Sequence, residues 1–195
     1  PMRNPHEHLT AVLSSKKFLN KQGLGNELPF FIFPYDPKDE LEIKVMLPRL
    51  VKKLSEGNIN ALQIDLFDLS IQIIKKRGIW ENVLDNENGI SKAELKELLQ
   101  GVLDTENHLI PAIKGKMDQS QFDILLITGI GEVFPYIRSH NVLNNLQSTA
   151  KEQPTVMFFP GKYEHSLEDG ASLQLFGLLQ DDKYYRAFNI YHYEV

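Results

Sequence analysis

Four short, largely apolar segments at 30–33, 62–66, 124–127 and 156–159 recur along the chain, each separated from the next by helical patterning. Apolar runs of this kind, rather than a strict in-out alternation, are what strands need when helices cover both faces of a parallel sheet. The pattern therefore predicts an α/β chain of three layers, with a mostly parallel central sheet of about five strands. A fifth segment at 185–191 mixes Tyr, Phe and Ile with Arg186 and Asn189, as expected of a strand nearer an edge. At 195 residues the chain can bury one sizeable core, so a single domain over 1–195 is expected.

The helices between these strands carry recognisable signals. Residues 39–54 place Ile43, Met46, Leu47, Leu50 and Leu54 on one stripe, as a β-α-β crossover requires. Pro48 deletes a backbone donor there and crowds the carbonyl of Lys44, which predicts a kink or two shorter helices. A helix over 68–76 should close at Gly78. Ser91 and Glu94 form a capping-box pair ahead of Leu95, Leu98, Leu99 and Val102, and a further helix is expected over 106–117. Residues 78–117 thus form a helical insertion between the second and third strands, read as a cover for the sheet in preference to a lid.

Charge and composition narrow the function. A formal net charge of -5 argues against a broad positive surface for nucleic acid, so direct DNA binding is not expected. The basic pairs and triplets at 52–53 and 75–77 fall late in helices, where cations meet the negative end of the helix dipole. The chain has no cysteine, which removes disulfides, thiolate metal sites and cysteine nucleophiles. No apolar run is long enough to span a bilayer and residues 1–8 are polar, so no membrane association and a cytoplasmic location are expected.

The most site-like feature is the turn Thr128-Gly129-Ile130-Gly131-Glu132, directly after the third strand. Ligand sites in open α/β sheets gather at such carboxyl ends. A phosphate loop, however, needs a lysine and a Ser or Thr after its last glycine, and neither follows Gly131. A dinucleotide turn needs a third glycine where Phe134 stands. Downstream, Arg138, Ser139, His140 and Asn144 make a dense polar set, with Ser139 placed to cap a helix to about 147. That set suits either an anion or partner site together with Gly129 and Gly131, or a network that fixes the helix.

Asp65 and Asp68 flank the end of the second strand, which would put one carboxylate near Gly129 if the two strands are neighbours; an exposed strand-end carboxylate or a helix cap at Asp68 is the plainer reading and a metal-binding Asp65 the sharper one. His6 and His8 are read as solvated, residues 85–89 as a turn rather than a calcium loop, and residues 23–27 as a flexible loop. The aromatics Tyr184, Tyr185, Phe188, Tyr191 and Tyr193 are assigned to core packing before an interface. Neither a zinc-helix nor a nucleophile-elbow motif is present. No catalytic residue, metal or cofactor is assigned.

Five blocks, at 23–33, 65–69, 126–146, 158–161 and 173–190, together resemble the BrxB family of BREX, the bacteriophage exclusion systems. The stretch 128–146, TGIGEVFPYIRSHNVLNNL, is the most specific of them. The resemblance implies cytoplasmic anti-phage defence in company with a PglZ-domain protein, a large ATPase and a DNA methyltransferase. It implies no catalytic residue. A non-catalytic adaptor for the PglZ-type partner is the expected function, and a degenerate P-loop-like nucleotide- or phosphate-binding domain is the alternative.

Overall fold

In the computed structural model, residues 4–21, 29–86, 89–150, 152–166, 170–177, 179–182 and 187–194 are described. The elements run α1 (Pro5–Ser14), α2 (Lys16–Leu19), β1 (Phe30–Tyr35), α3 (Glu40–Glu56), β2 (Ala61–Asp65), α4 (Leu66–Lys76), α5 (Trp80–Asn86), α6 (Lys92–Val102) and α7 (Ile110–Asp118). They continue with β3 (Ile124–Thr128), α8 (Ile130–Val133), α9 (Ser139–Leu146), β4 (Thr155–Ser166), β5 (Gly170–Leu175), β6 (Leu179–Asp182) and β7 (Phe188–Asn189). A π-helical turn over Thr105–Leu109 runs into α7, and a 3-10 turn over Ile190–His192 follows β7.

Five strands form the parallel path β2-β3-β4-β1-β7, the mostly parallel sheet expected, except that β2 is not buried on both faces: it is an edge strand with Gln63 exposed. Alternation along each strand divides the core in two. Phe30, Ile32, Leu125, Ile127, Met157 and Phe159 pack with α4, α6, α7 and α9 on one face. Phe31, Phe33, Ile124, Leu126, Val156 and Phe158 pack with α1, α2 and α3 on the other. The strand order accounts for this division. From β1 to β2 the chain crosses the sheet in one direction, and from β2 through β3 to β4 it returns. With one hand of crossover throughout, the α3 connection must lie on the face opposite α4 to α9.

Residues 92–118 of the insertion lie against the sheet, burying Leu99, Val102, Leu109 and Ile113 in the first core. The Ser91–Glu94 capping box forms reciprocally, with Ser91 N donating to Glu94 Oε2 at 2.9 Å and Glu94 N to Ser91 Oγ at 3.2 Å. Gly78 closes the α4 region at φ 70°.

Several expectations are corrected. The helix after β2 starts at Leu66, because Asp65 rather than Asp68 is its cap: Asp65 Oδ1 accepts from the amides of Phe67 and Asp68 at 2.9 and 3.0 Å. Arg138, not Ser139, occupies the cap position of α9, and no side chain closes that end. Of the two outcomes expected at Pro48, two shorter helices do not form: α3 runs through it as one helix, with Pro48 on an exposed side. His8 is not solvated: its Nε2 lies 3.1 Å from Ile190 O and its ring stacks on Tyr191. The last expected strand is shorter than read, with only Phe188–Asn189 pairing with β1; Tyr184, Tyr185 and Arg186 lie outside the described residues, as do residues 23–27 and part of the 85–89 turn.

Two features have no counterpart in the sequence reading. The N-terminal helix α1 is capped by Asn4, carries proline in its first turn and buries Leu9, Val12 and Leu13. Beyond Pro160, β4 continues past the parallel sheet and pairs antiparallel with β5, which pairs in turn with β6. Gly161 makes that close pairing possible, since a Cβ there would sit 2.1 Å from Gln174 O.

Candidate functional site at the carboxyl end of the sheet

Strands β2 and β3 are neighbours in register, with Asp65 opposite Thr128. Their carboxyl ends are therefore level, and Asp65 reaches Gly129 as the sequence suggested for adjacent strands. Thr128 Oγ1 donates to Asp65 Oδ2 at 3.1 Å and accepts from Gln63 Nε2 at 3.3 Å. Gly129 itself has φ 80°, a left-handed conformation that lets the chain leave β3 and enter α8 at once. The space beside it is already taken. A methyl group at Gly129 would fall 2.9 Å from Asp65 Oδ1 and 3.1 Å from its Cγ.

Around this turn lies a narrow cleft of about 80 Å³, lined among others by Tyr35, Glu40, Lys44, Asp65, Gly129 and Glu132. Tyr35 Oη donates to Glu40, while Lys44 Nζ contacts Glu132 at 2.7 Å and so ties α3 to α8 across the sheet edge. Burial, then the hydrogen bond to Glu40, raises the Tyr35 phenol above its ordinary range, so it stays a neutral donor. The hydrogen bond to Glu132 and its negative charge raise Lys44 and keep it cationic. The charges within the cleft are three carboxylates, Glu40, Asp65 and Glu132, against one ammonium. That balance repels an anion.

Of the candidate site residues read from the sequence, Gly129 and Asp65 line this cleft, whereas Gly131, Arg138, Ser139, His140 and Asn144 lie outside it. Gly131 packs below Phe176 and Pro160, 3.1 and 3.2 Å from where its Cβ would be. Arg138 holds its guanidinium over the Phe134 ring at 5.4 Å, and Phe134 meets Phe176 edge-on at 6.5 Å. Ser139, His140 and Asn144 follow on α9, where Asn145 Nδ2 donates back to Asn141 O at 2.7 Å. Among the described residues no group of three or more His, Asp or Glu is arranged to hold a metal ion. Gln63, Glu40 and Lys44 were not legible as partners of this turn. Gln63, a polar side chain within an apolar strand, was the available signal.

The second feature at this end of the sheet is larger. An open groove of about 750 Å³ runs between the start of α1, the end of β1 and the first half of α3. Its floor includes Phe33, Ile43, Met46 and Tyr191. Leu41 and Val45 stand on its wall with 77% and 55% of their surface exposed.

A family profile described as BREX protein BrxB matches residues 62–190, a span that includes β2, the Gly129 turn and β4. The chain belongs to the BrxB family. A BREX protein BrxB from Bacillus cereus (strain H3081.97) is 36% identical, covering 97% of this chain and 98% of its own length. Another from Escherichia coli O9:H4 (strain HS) is 30% identical, covering 91% and 86% respectively. No solved structure shows significant similarity to the chain. Membership makes this chain a component of a BREX defence system. Among the described residues no helix is long and apolar enough to cross a membrane.

Proposed function

We propose that this BrxB-family chain is a non-catalytic adaptor of its BREX system, binding the PglZ-type partner that the resemblance implies and supporting assembly of the complex. The observation that carries this reading is the occupancy of the sheet's carboxyl end. Where α/β proteins commonly receive an anionic ligand, the Asp65 carboxylate fills the space beside Gly129 and takes the first amides of α4. Small-molecule pockets commonly reach ~300–1,000 Å³; the cleft around Gly129 holds about 80 Å³ and is lined by three carboxylates against one ammonium. Also at this end is the broad apolar groove beside α3, a shape suited to protein contact.

Co-purification tests the proposal. The chain and the PglZ-domain protein of the same system, mixed at micromolar concentration, should co-elute from size exclusion ahead of either alone. Consistent separate elution would remove the adaptor reading.

A further inference from the structure

The α3 helix has two apolar sides. Leu47, Leu50 and Leu54 face the core, whereas Leu41 and Val45, four residues apart, lie on the other side of a helix that turns 100° per residue. Core packing does not require them there. They line the same groove as the more buried Ile43 and Met46, from which Glu42 and Arg49 separate them on the helix surface.

The rim has a sign. Asp36, Asp39 and Glu42 border the groove, against Arg49 as the one arginine or lysine among its lining residues. Lys38, 3.7 Å from Asp36 with both side chains largely exposed, offsets part of this charge but leaves the acidic side chains in excess. A chain of formal net charge -5 adds to the same field.

We infer that this groove docks a basic amphipathic segment of a partner protein, apolar side chains entering between Leu41, Val45 and Met46, and flanking lysines or arginines meeting Asp39 and Glu42. The inference rests on the adaptor reading for its biological setting and on the groove for its chemistry. A second copy of this chain is a poorer occupant, because it would bring the same acidic rim against itself.

The test uses the full chain and a fluorescein-labelled 18-residue Leu/Lys amphipathic peptide, read by anisotropy, with a Leu/Glu peptide of the same pattern beside it. The Leu/Lys peptide should bind, the Leu/Glu peptide should not, and the double variant Asp39→Lys/Glu42→Lys should weaken binding at least tenfold. The decisive variant is Leu41→Asp/Val45→Asp. It adds two negative charges, so attraction by charge alone would strengthen binding, whereas docking in the groove requires a loss of at least tenfold. Leu98→Asp, an exposed site on α6, should bind as wild type, and circular dichroism checks that each variant folds.

Unchanged or tighter binding by Leu41→Asp/Val45→Asp overturns the assignment, as does a wild-type dimer that this variant disperses. Failure of the wild type to co-elute with the PglZ-domain protein removes the adaptor reading while leaving the peptide result to judge the groove. Co-elution that survives Leu41→Asp/Val45→Asp removes the groove and leaves the adaptor.

Discussion

Replacing Gly129 with alanine separates a structural turn from a ligand loop. At φ 80° an alanine there adopts the left-handed region, which costs ~1–2 kcal/mol for a residue with a Cβ. Its methyl also falls 2.9 Å from Asp65 Oδ1 and 3.1 Å from Oδ2. The carboxylate cannot yield freely, because it holds the amides of Phe67 and Asp68 and the hydroxyl of Thr128. Displacing such a cap costs a further ~1 kcal/mol, within a range of about 0.5–2. The sum is ~1.5–4 kcal/mol, which for a chain of this size lowers Tm by roughly 3–16 °C.

Thermal and urea unfolding followed by circular dichroism would measure the loss. Asp65→Ala removes both the cap and the obstruction, so Gly129→Ala in that background should cost only the backbone strain, and the two changes should fall short of additivity by ~1 kcal/mol. Gly131→Ala is the comparator. Its methyl meets the exposed Phe176 ring at 3.1 Å, which can shift, and its backbone is not left-handed, so a loss of ~1 kcal/mol or less is expected. A Gly129→Ala protein as stable as wild type, or strict additivity with Asp65→Ala, would refute the claim that Asp65 occupies the turn.

Burial pushes the Tyr163 phenol up from 10.0 to about 12, and its hydroxyl donates to Ala187 O at 2.6 Å. A raised folded value means its stabilising contribution is complete below about pH 10 and is lost as pH rises towards about 12, because the unfolded chain ionises first. Stability should therefore fall by at most ~1.4 kcal/mol per pH unit for this residue over that window. Urea unfolding at pH 9, 10 and 11 should show a shallower alkaline decline in Tyr163→Phe, and an unchanged slope would count against it. For the cleft at Gly129, a millimolar panel of ATP, GTP and NAD with magnesium should leave Tm unmoved; a ligand present at a hundred times its Kd would add ~2.7 kcal/mol, or roughly 5–11 °C here.

The legibility of this fold followed burial. Residues 30–33, 124–127 and 156–159 are covered on both faces and appear as β1, β3 and part of β4 because a doubly covered strand must be apolar throughout. The β4–β6 extension carries no such run, for the opposite reason. In β5 the buried Leu173 and Leu175 alternate with the less buried Ser172 and Gln174, so the signal has period two and no apolar run announces it. Asp65 lay between these cases: its place at a strand end was readable, but a helix starting at Leu66 depended on where its side chain pointed.

The site divides along the same physical line. Gly129 could be read as a turn because its constraint is local: a strand ends, a helix begins, and the glycine allows the left-handed step between them. What fills the space beside it could not be read locally. Asp65, Thr128 and Gly129 meet because β2 and β3 are adjacent and in register, while Lys44 meets Glu132 although α3 and α8 pack on opposite faces of the sheet. The strand order that brings Asp65 to Gly129 also routes α3 across that opposite face, where Leu41 and Val45 stand exposed beside the acidic rim. The closed glycine turn and the open groove are thus two consequences of one crossover, and a functional reading that moves from the first to the second follows the route of the chain.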